Sequence, residues 1–98
     1  MNIQAMMKQA QALQKDMLKA KDEIDNSLYV GENAMIKITM KGSKEVSEVE
    51  LKIDESLDKD DLEMLQDMIK SAYNDATKKI DADTEKKMGK FGNIPGLF

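Results

Sequence analysis

Lysine and glutamine side chains near the N-terminus are the residues best suited to bind a ligand. They recur every three or four residues, as Gln4, Lys8, Gln11, Lys15 and Lys19. At about 100° per residue, this spacing places all five on one face of a helix. Lysine ammonium groups and glutamine amides can bind phosphate oxygens without reading a base sequence, but a solvated helix face has the same composition. This face alone leaves both interpretations open.

The remaining composition argues against catalysis. The chain has no His and no Cys, which removes the commonest general base, the thiol nucleophiles and the usual zinc and iron ligands. Asp58, Asp60 and Glu63 lack the further ligands and the glycine of a calcium loop, and a helix N-terminus explains them better. Residues 31–34 contain one glycine and predict no phosphate-binding loop. We expect a protein that is not an enzyme and has no metal, cofactor or small-molecule substrate.

The lysine-bearing face belongs to a predicted helix with an apolar seam. Apolar residues follow one another at alternating spacings of three and four: Ile3, Met6, Ala10, Leu13, Met17, Ala20 and Ile24. This heptad pattern predicts a helix whose seam is centred opposite the lysines. A polar cluster from Asp22 to Ser27 predicts its end. Residues 1–21 carry four lysines and one aspartate, whereas residues 58–75 carry two lysines and six acids. The acidity of the chain is therefore local.

Three strands are predicted after this helix. Leu28–Val30 is expected to form the first strand and to stop at Gly31–Asn33, and the alternation in Ile36–Lys41 predicts a second. The third is expected from about Glu45 to Ile53. Its apolar residues alternate on one face: Val49, Leu51 and Ile53. Val46 is out of phase, which predicts either a β-bulge or a contact in a dimer.

A second, long helix is predicted from Lys59 to Met88. Asp58 is its expected N-cap, with acids in its first turns and lysines toward its end, as the helix dipole favours. Its apolar seam contains Leu62, Leu65, Ile69, Ala72, Ala76 and Ile80. At 1.5 Å per residue the helix is about 45 Å long, more than a small sheet spans. Its last turns are therefore expected to overhang the sheet, toward solvent or a second subunit.

The size and composition fit one small domain. The 98 residues are 41% hydrophobic and 35% charged, which predicts a single α+β domain over residues 1–88 and a flexible tail over residues 89–98. A chain of this length buries little surface and has no disulfide, so self-association is expected. No apolar run is long enough for a membrane span and the N-terminus lacks a signal-peptide pattern. We therefore expect a cytoplasmic protein without membrane contact.

Short motifs along the chain resemble those of one family. They are Met7-Lys8-Gln9-Ala10-Gln11, Leu13-Gln14, Val30-Gly31, Ile53-Asp54, Leu62-Glu63, Asn74-Asp75-Ala76 and Pro95-Gly96-Leu97-Phe98. Each is weak alone, but their order over nearly the whole chain resembles the YbaB/EbfC nucleoid-associated proteins. The resemblance implies an α-β-β-β-α protomer, with a three-stranded antiparallel sheet between two long helices, that forms a tweezer-like homodimer.

The resemblance also implies a function and a site. Its members bind duplex DNA in the bacterial nucleoid through helix residues, with roles in chromosome organisation or gene regulation. Carried over to this sequence, the DNA-binding residues are Lys8, Gln11, Lys15 and Lys19, with Lys86, Lys87 and Lys90 as weaker candidates. The chain has no Arg, the residue that forms paired hydrogen bonds with guanine or phosphate, so little sequence specificity is expected. The alternative is an interaction module whose Met-rich helices or Phe91–Phe98 segment docks on a replication or recombination protein.

Overall fold

The chain folds as a helix, a three-stranded sheet and a second helix. The computed structural model describes residues 2–53 and 56–91. The elements are α1 (Ile3–Asn26), β1 (Leu28–Glu32), β2 (Ile36–Lys41), β3 (Val46–Leu51) and α2 (Lys59–Met88), followed by a short 3₁₀ turn (Gly89–Phe91). This confirms the predicted α+β order. The sheet comes between the two helices in the order of the chain. In the described part of the structure, however, only α2 packs across a face of the sheet.

Both helices begin at the capping residues that their sequences provide. The Asn2 side chain accepts hydrogen bonds from the backbone N–H groups of Gln4 and Ala5, at 3.1 and 3.3 Å. Asp58 and Asp61 form a reciprocal capping box at the start of α2, with side chain to backbone distances of 3.0 and 3.1 Å. These bonds satisfy N–H groups that have no partner within the helix. The predicted N-cap at Asp58 is confirmed.

The sheet is antiparallel in the order β1-β2-β3. Ile36 lies opposite Leu51 and Ile38 opposite Val49, and a shift in register after Thr39 then places Met40 opposite Val46. The shift is a β-bulge, which confirms one of the two explanations offered for the phase of Val46. Because opposed residues share a face, the apolar residues of β3 lie on the same face as those of β2.

The first strand is longer than predicted, because Gly31 does not end it. Gly31 pairs with Ile38 inside the ladder, and β1 continues to Glu32. A Cβ atom at Gly31 would lie 1.9 Å from the backbone oxygen of Ala72. The glycine is needed for the close approach of α2 to β1, whereas the sequence pattern suggested a strand breaker.

The main core lies between the sheet and the middle of α2. Its fully buried residues come from β2 and α2: Ile36, Ile38, Met40, Ala72, Ala76 and Ile80. The two alanines let the helix lie close to the strands. Leu62 and Ile69, also in the predicted seam, are 50% and 39% exposed. Both share the face of α2 that carries the buried residues, but the sheet leaves them exposed.

The last turns of α2 pack against α1, so the prediction that solvent or a second subunit would cover them was wrong. Met88 and Phe91 contact the second half of α1 at Met17, Ala20 and Ile24. The two helices run antiparallel there, and the first half of α1 projects beyond the end of α2. The resulting molecule is long and narrow, with extents of 72 × 18 × 17 Å. Residues 92–98, most of the predicted tail, lie outside the described residues.

Candidate nucleic-acid interface

The first half of α1 is a projecting helix, which we call the free arm (Ile3–Asp16). Every residue of the free arm is exposed, and the first buried position in α1 is Met17. Capping by Asn2 and the good helix-forming residues of the arm favour this isolated conformation. The free arm and the turn after it carry the predicted ligand-binding side chains.

The candidate binding residues on α1 form an uninterrupted exposed row, which we call the lysine stripe (Lys8, Gln11, Lys15 and Lys19). All four side chains are exposed. They lie opposite the seam through which α1 contacts Met88, and Lys8 and Lys19 are separated by about 17 Å along the helix axis. The structure therefore brings these four predicted residues together on one open surface.

The lysines of the stripe form no ion pair with any described residue. Six other lysines do have carboxylate partners within 4 Å: Lys21, Lys41, Lys44, Lys52, Lys79 and Lys87. An ammonium group without an intramolecular partner is free to bind an external anion and loses no internal contact when it does. Lys8, Lys15 and Lys19 have the properties needed for phosphate contacts.

The weaker candidates near the end of α2 do not join the stripe. Met88 faces α1, and Lys86, two residues earlier, lies about 160° away around the helix. The Lys87 ammonium group is 2.9 Å from the Asp83 carboxylate. The Lys90 ammonium group lies 5.0 Å from the centre of the Phe91 ring. The stripe and Lys86 are thus on opposite sides of the two-helix segment, where one straight duplex cannot contact both.

Lys87 belongs to a polar network that the sequence patterns only partly predicted. The Tyr29 hydroxyl of β1 donates a hydrogen bond of 2.5 Å to the Asp83 carboxylate. This bond and the one from Lys87 hold the pKa of Asp83 below its usual range. Burial, followed by the bond to Asp83, raises the pKa of Tyr29 to about 12. The four-residue spacing of Asp83 and Lys87 is typical of an ion pair on a helix, but no pattern in the sequence indicates the contact with Tyr29.

Charge is separated along the length of the molecule. The acidic start of α2 (residues 58–67) lies toward the sheet, while the other end of α2 contacts α1. From Met88 back to Asp60 the helix axis covers about 42 Å. The positive free arm therefore projects away from the acids that give the chain its net charge of -4.

The described surface outside the stripe contains a groove between the two helices. Over residues 2–53 and 56–91, no three acidic, His or Cys side chains are grouped to hold a metal ion. A groove of about 480 Å³ lies where α1, the β2–β3 turn and α2 meet. Its floor contains Ile24, Ile80 and Met88, and its rim carries the Lys44–Asp81 ion pair. Among the described helices, none combines the length and apolar character of a membrane span.

Known proteins similar to this chain match it over most or nearly all of its length. The profile of the YbaB/EbfC DNA-binding family matches residues 1–94. A nucleoid-associated protein of Ligilactobacillus salivarius is 44% identical, over 99% of this chain and 95% of its own length. A nucleoid-associated protein of Lactococcus lactis subsp. cremoris is 45% identical over 93% of each chain. One from Ruminiclostridium cellulolyticum is 43% identical, over 99% of this chain and 89% of its own. These matches include both helices and the sheet, and they confirm the resemblance seen in the motifs. The chain belongs to the YbaB/EbfC DNA-binding family.

Proposed function

We propose that this protein binds duplex DNA as a nucleoid-associated homodimer, through the lysine stripe on α1. The observation that carries the proposal is the set of three exposed ammonium groups, on one face of a projecting helix, without ion-pair partners among the described residues. Family membership supports DNA as the ligand. The protein acts without catalysis: it binds DNA and so contributes to chromosome organisation or gene regulation.

Binding proceeds by neutralisation of backbone phosphates. Each lysine that contacts a phosphate releases condensed counterions, so affinity falls as salt rises. The Gln11 amide adds an uncharged donor to a phosphate or sugar oxygen. Lysine is a point charge without the planar fork of arginine, and the stripe therefore holds many sequences about equally well. Lys86, Lys87 and Lys90 are secondary contacts in this proposal, reached by a second or a bent segment of DNA.

The homodimer is supported by an uncovered part of the core-facing side of the sheet, the β3 face (Val46, Val49 and Leu51). These side chains share a face with the buried residues of β2, yet they are 42%, 52% and 54% exposed. Ile69, in the seam of α2, and Tyr73 beside it are 39% and 41% exposed. An exposed extension of a buried core is typical of a subunit interface. A second copy against this face would give an assembly with two free arms.

Reversal of charge on the stripe tests the DNA site. The substitutions Lys8→Glu, Lys15→Glu and Lys19→Glu together should abolish binding of a labelled duplex in fluorescence anisotropy at low salt. The matched control reverses three exposed lysines of α2, Lys59, Lys70 and Lys78, with the same change in net charge. Equal loss of binding in both chains would show that net charge alone matters and would contradict the assigned site.

A substitution on β3 tests the dimer. Val49→Lys places a charge in the apolar β3 face and should convert the dimer to a monomer in sedimentation at about 10 µM, because an unpaired charge opposes burial. Glu48→Lys changes the opposite face of the same strand and should leave the dimer intact. A wild-type monomer at this concentration would contradict the dimer.

The alternative function as an interaction module remains a prediction. The part of the Phe91–Phe98 segment beyond Phe91 lies outside the described residues, and Phe91 itself packs against α1. A replication or recombination protein that is retained from nuclease-treated lysate, and lost when residues 92–98 are deleted, would support this alternative.

A further inference from the structure

The apolar seam of α1 is filled along only half of its length. Its second half, at Met17, Ala20 and Ile24, is covered by the end of α2. In its first half Ile3, Met6 and Leu13 are 70%, 53% and 49% exposed, and Ala10 is exposed between them. We call these four residues the bare seam. About three turns of heptad seam without a facing helix form an apolar surface of the kind that a second helix covers.

The spacing of the bare seam makes it complementary to itself. The steps between Ile3, Met6, Ala10 and Leu13 are three, four and three residues, which read the same in both directions. Two copies of the free arm that lie antiparallel, with their Lys8 positions level, place Ile3 opposite Leu13 and Met6 opposite Ala10. The large Met6 side chain then faces the small Ala10 of the other copy, the kind of pairing that fills a seam.

The charges around the bare seam also favour a second copy. The residues that flank it at the neighbouring helix positions are uncharged: Asn2, Met7, Gln9 and Gln14. Flanking residues of this kind set which helices pair, and like charges there would keep two identical arms apart. The lysines of the free arm, Lys8 and Lys15, lie on the far side of the helix and stay exposed when two seams meet.

We propose that the free arm is a self-association surface, in which the bare seams of two chains pair as an antiparallel helix hairpin. This contact is separate from the β3 face and does not depend on DNA. Paired arms present two lysine stripes on opposite outer faces. An assembly of this kind can hold two DNA segments side by side, because neither stripe is used in the pairing.

Disulfide cross-linking tests the register, and the absence of Cys from the chain makes every engineered thiol unambiguous. Chains with Met6→Cys, mixed under mild oxidation with chains that carry Ala10→Cys, should form a mixed disulfide several-fold faster than either variant forms one with itself. The antiparallel register brings these two positions within disulfide distance. Lys8→Cys, on the outer face, is the control and should cross-link little. Equal cross-linking in the mixed and single samples would overturn the proposal.

Sedimentation without DNA tests the contact itself, in a Val49→Lys background that removes the β3 face. Over about 0.01 to 1 mM, the range in which weak contacts saturate, chains in this background should associate into pairs. Adding Leu13→Glu should abolish this step, whereas Ala12→Glu, the same charge on the neighbouring outward position, should not. The circular dichroism of both variants shows whether α1 is still helical. Identical sedimentation of the two variants would refute arm pairing.

The same experiments identify other occupants of the bare seam. If residues 92–98 of the same chain cover it, the Met6–Ala10 cross-link will form only after these residues are deleted, and that result overturns the proposal. If DNA covers the seam, Leu13→Glu will weaken DNA binding while the protein alone shows no association. Loss of DNA binding in the stripe variants leaves the cross-link unchanged, so failure of the DNA site and failure of arm pairing are distinguishable.

Discussion

The substitution Lys15→Gln tests how many free arms hold one DNA duplex. Lys15 is the central lysine of the stripe, and Gln keeps most of the length of the side chain, its polarity and its helix preference while it removes one charge. The logarithm of the binding constant falls with the logarithm of salt concentration at about 0.9 per phosphate neutralised. The three lysines of one stripe give a slope of about -2.7, and the six lysines of two stripes give about -5.4.

These slopes predict effects that are easily separated in a titration. Between 50 and 200 mM salt, one arm loses about 40-fold in affinity and two arms lose about 2,000-fold. Lys15→Gln should flatten the slope by about 0.9 if one arm binds and by about 1.8 if both do. The assay is fluorescence anisotropy of a labelled duplex at four salt concentrations, with wild-type and variant chains measured in parallel.

Lys70→Gln is the matched control for Lys15→Gln. Lys70 is exposed on α2, in the acidic half of the molecule, and its loss changes the net charge by the same amount. Its slope should equal that of the wild-type chain. A slope that is unchanged in Lys15→Gln, or flattened equally in Lys70→Gln, would refute the assignment of phosphate contacts to the stripe.

Four further substitutions test the fold and the secondary contacts. Gly31→Ala should destabilise the chain by about 3 kcal/mol or more in urea unfolding, because the added Cβ would lie 1.9 Å from the Ala72 oxygen. Gly89 has open space around it and helical backbone geometry, so Gly89→Ala should stabilise the chain by about 0.5 kcal/mol. The raised pKa of Tyr29 means that the neutral tyrosine stabilises the fold below pH 10 and that this stability is lost between pH 10 and 12, as the tyrosine ionises. Tyr29→Phe should lack this contribution and therefore this pH-dependent loss. Thermal unfolding of both chains across this range measures the difference, and parallel curves would contradict the role of the bond. Lys86→Gln should leave the salt slope unchanged on a duplex of about 15 base pairs and flatten it on long DNA; an equal effect on both would place Lys86 in the main site.

The helices and the lysine stripe were predictable because their signals are local. Heptad spacing defined α1, the acidic N-cap defined the start of α2, and about 100° per residue placed Lys8 opposite the seam. The structure confirms each of these features. An exposed face of a helix depends only on its own sequence once its buried face is known, so the candidate site could be predicted residue by residue.

Contacts between distant elements could not be predicted in the same way. A heptad seam shows that α1 has an apolar face, but it does not identify Met88 as the residue that covers it. A glycine in a strand pattern fits a turn or a close approach equally well, so the role of Gly31 depended on where α2 lies. The alternation in β3 predicted an inward face, yet the exposure of Val49 depends on how far α2 extends over the sheet.

The acidic total of the chain does not oppose DNA binding, because electrostatic influence depends on distance. At physiological ionic strength, charges on exposed groups are largely screened beyond about 8 Å. The acids of residues 58–67 lie several times that distance from the free arm, since the axis of α2 alone covers about 42 Å between Asp60 and Met88. A duplex at the stripe therefore meets Lys8, Lys15 and Lys19, with Asp16 as the one acid on the described part of α1 before Asp22. Net charge is informative for a compact protein of this size, but in a molecule 72 Å long and 18 Å wide each end acts as a separate electrostatic surface.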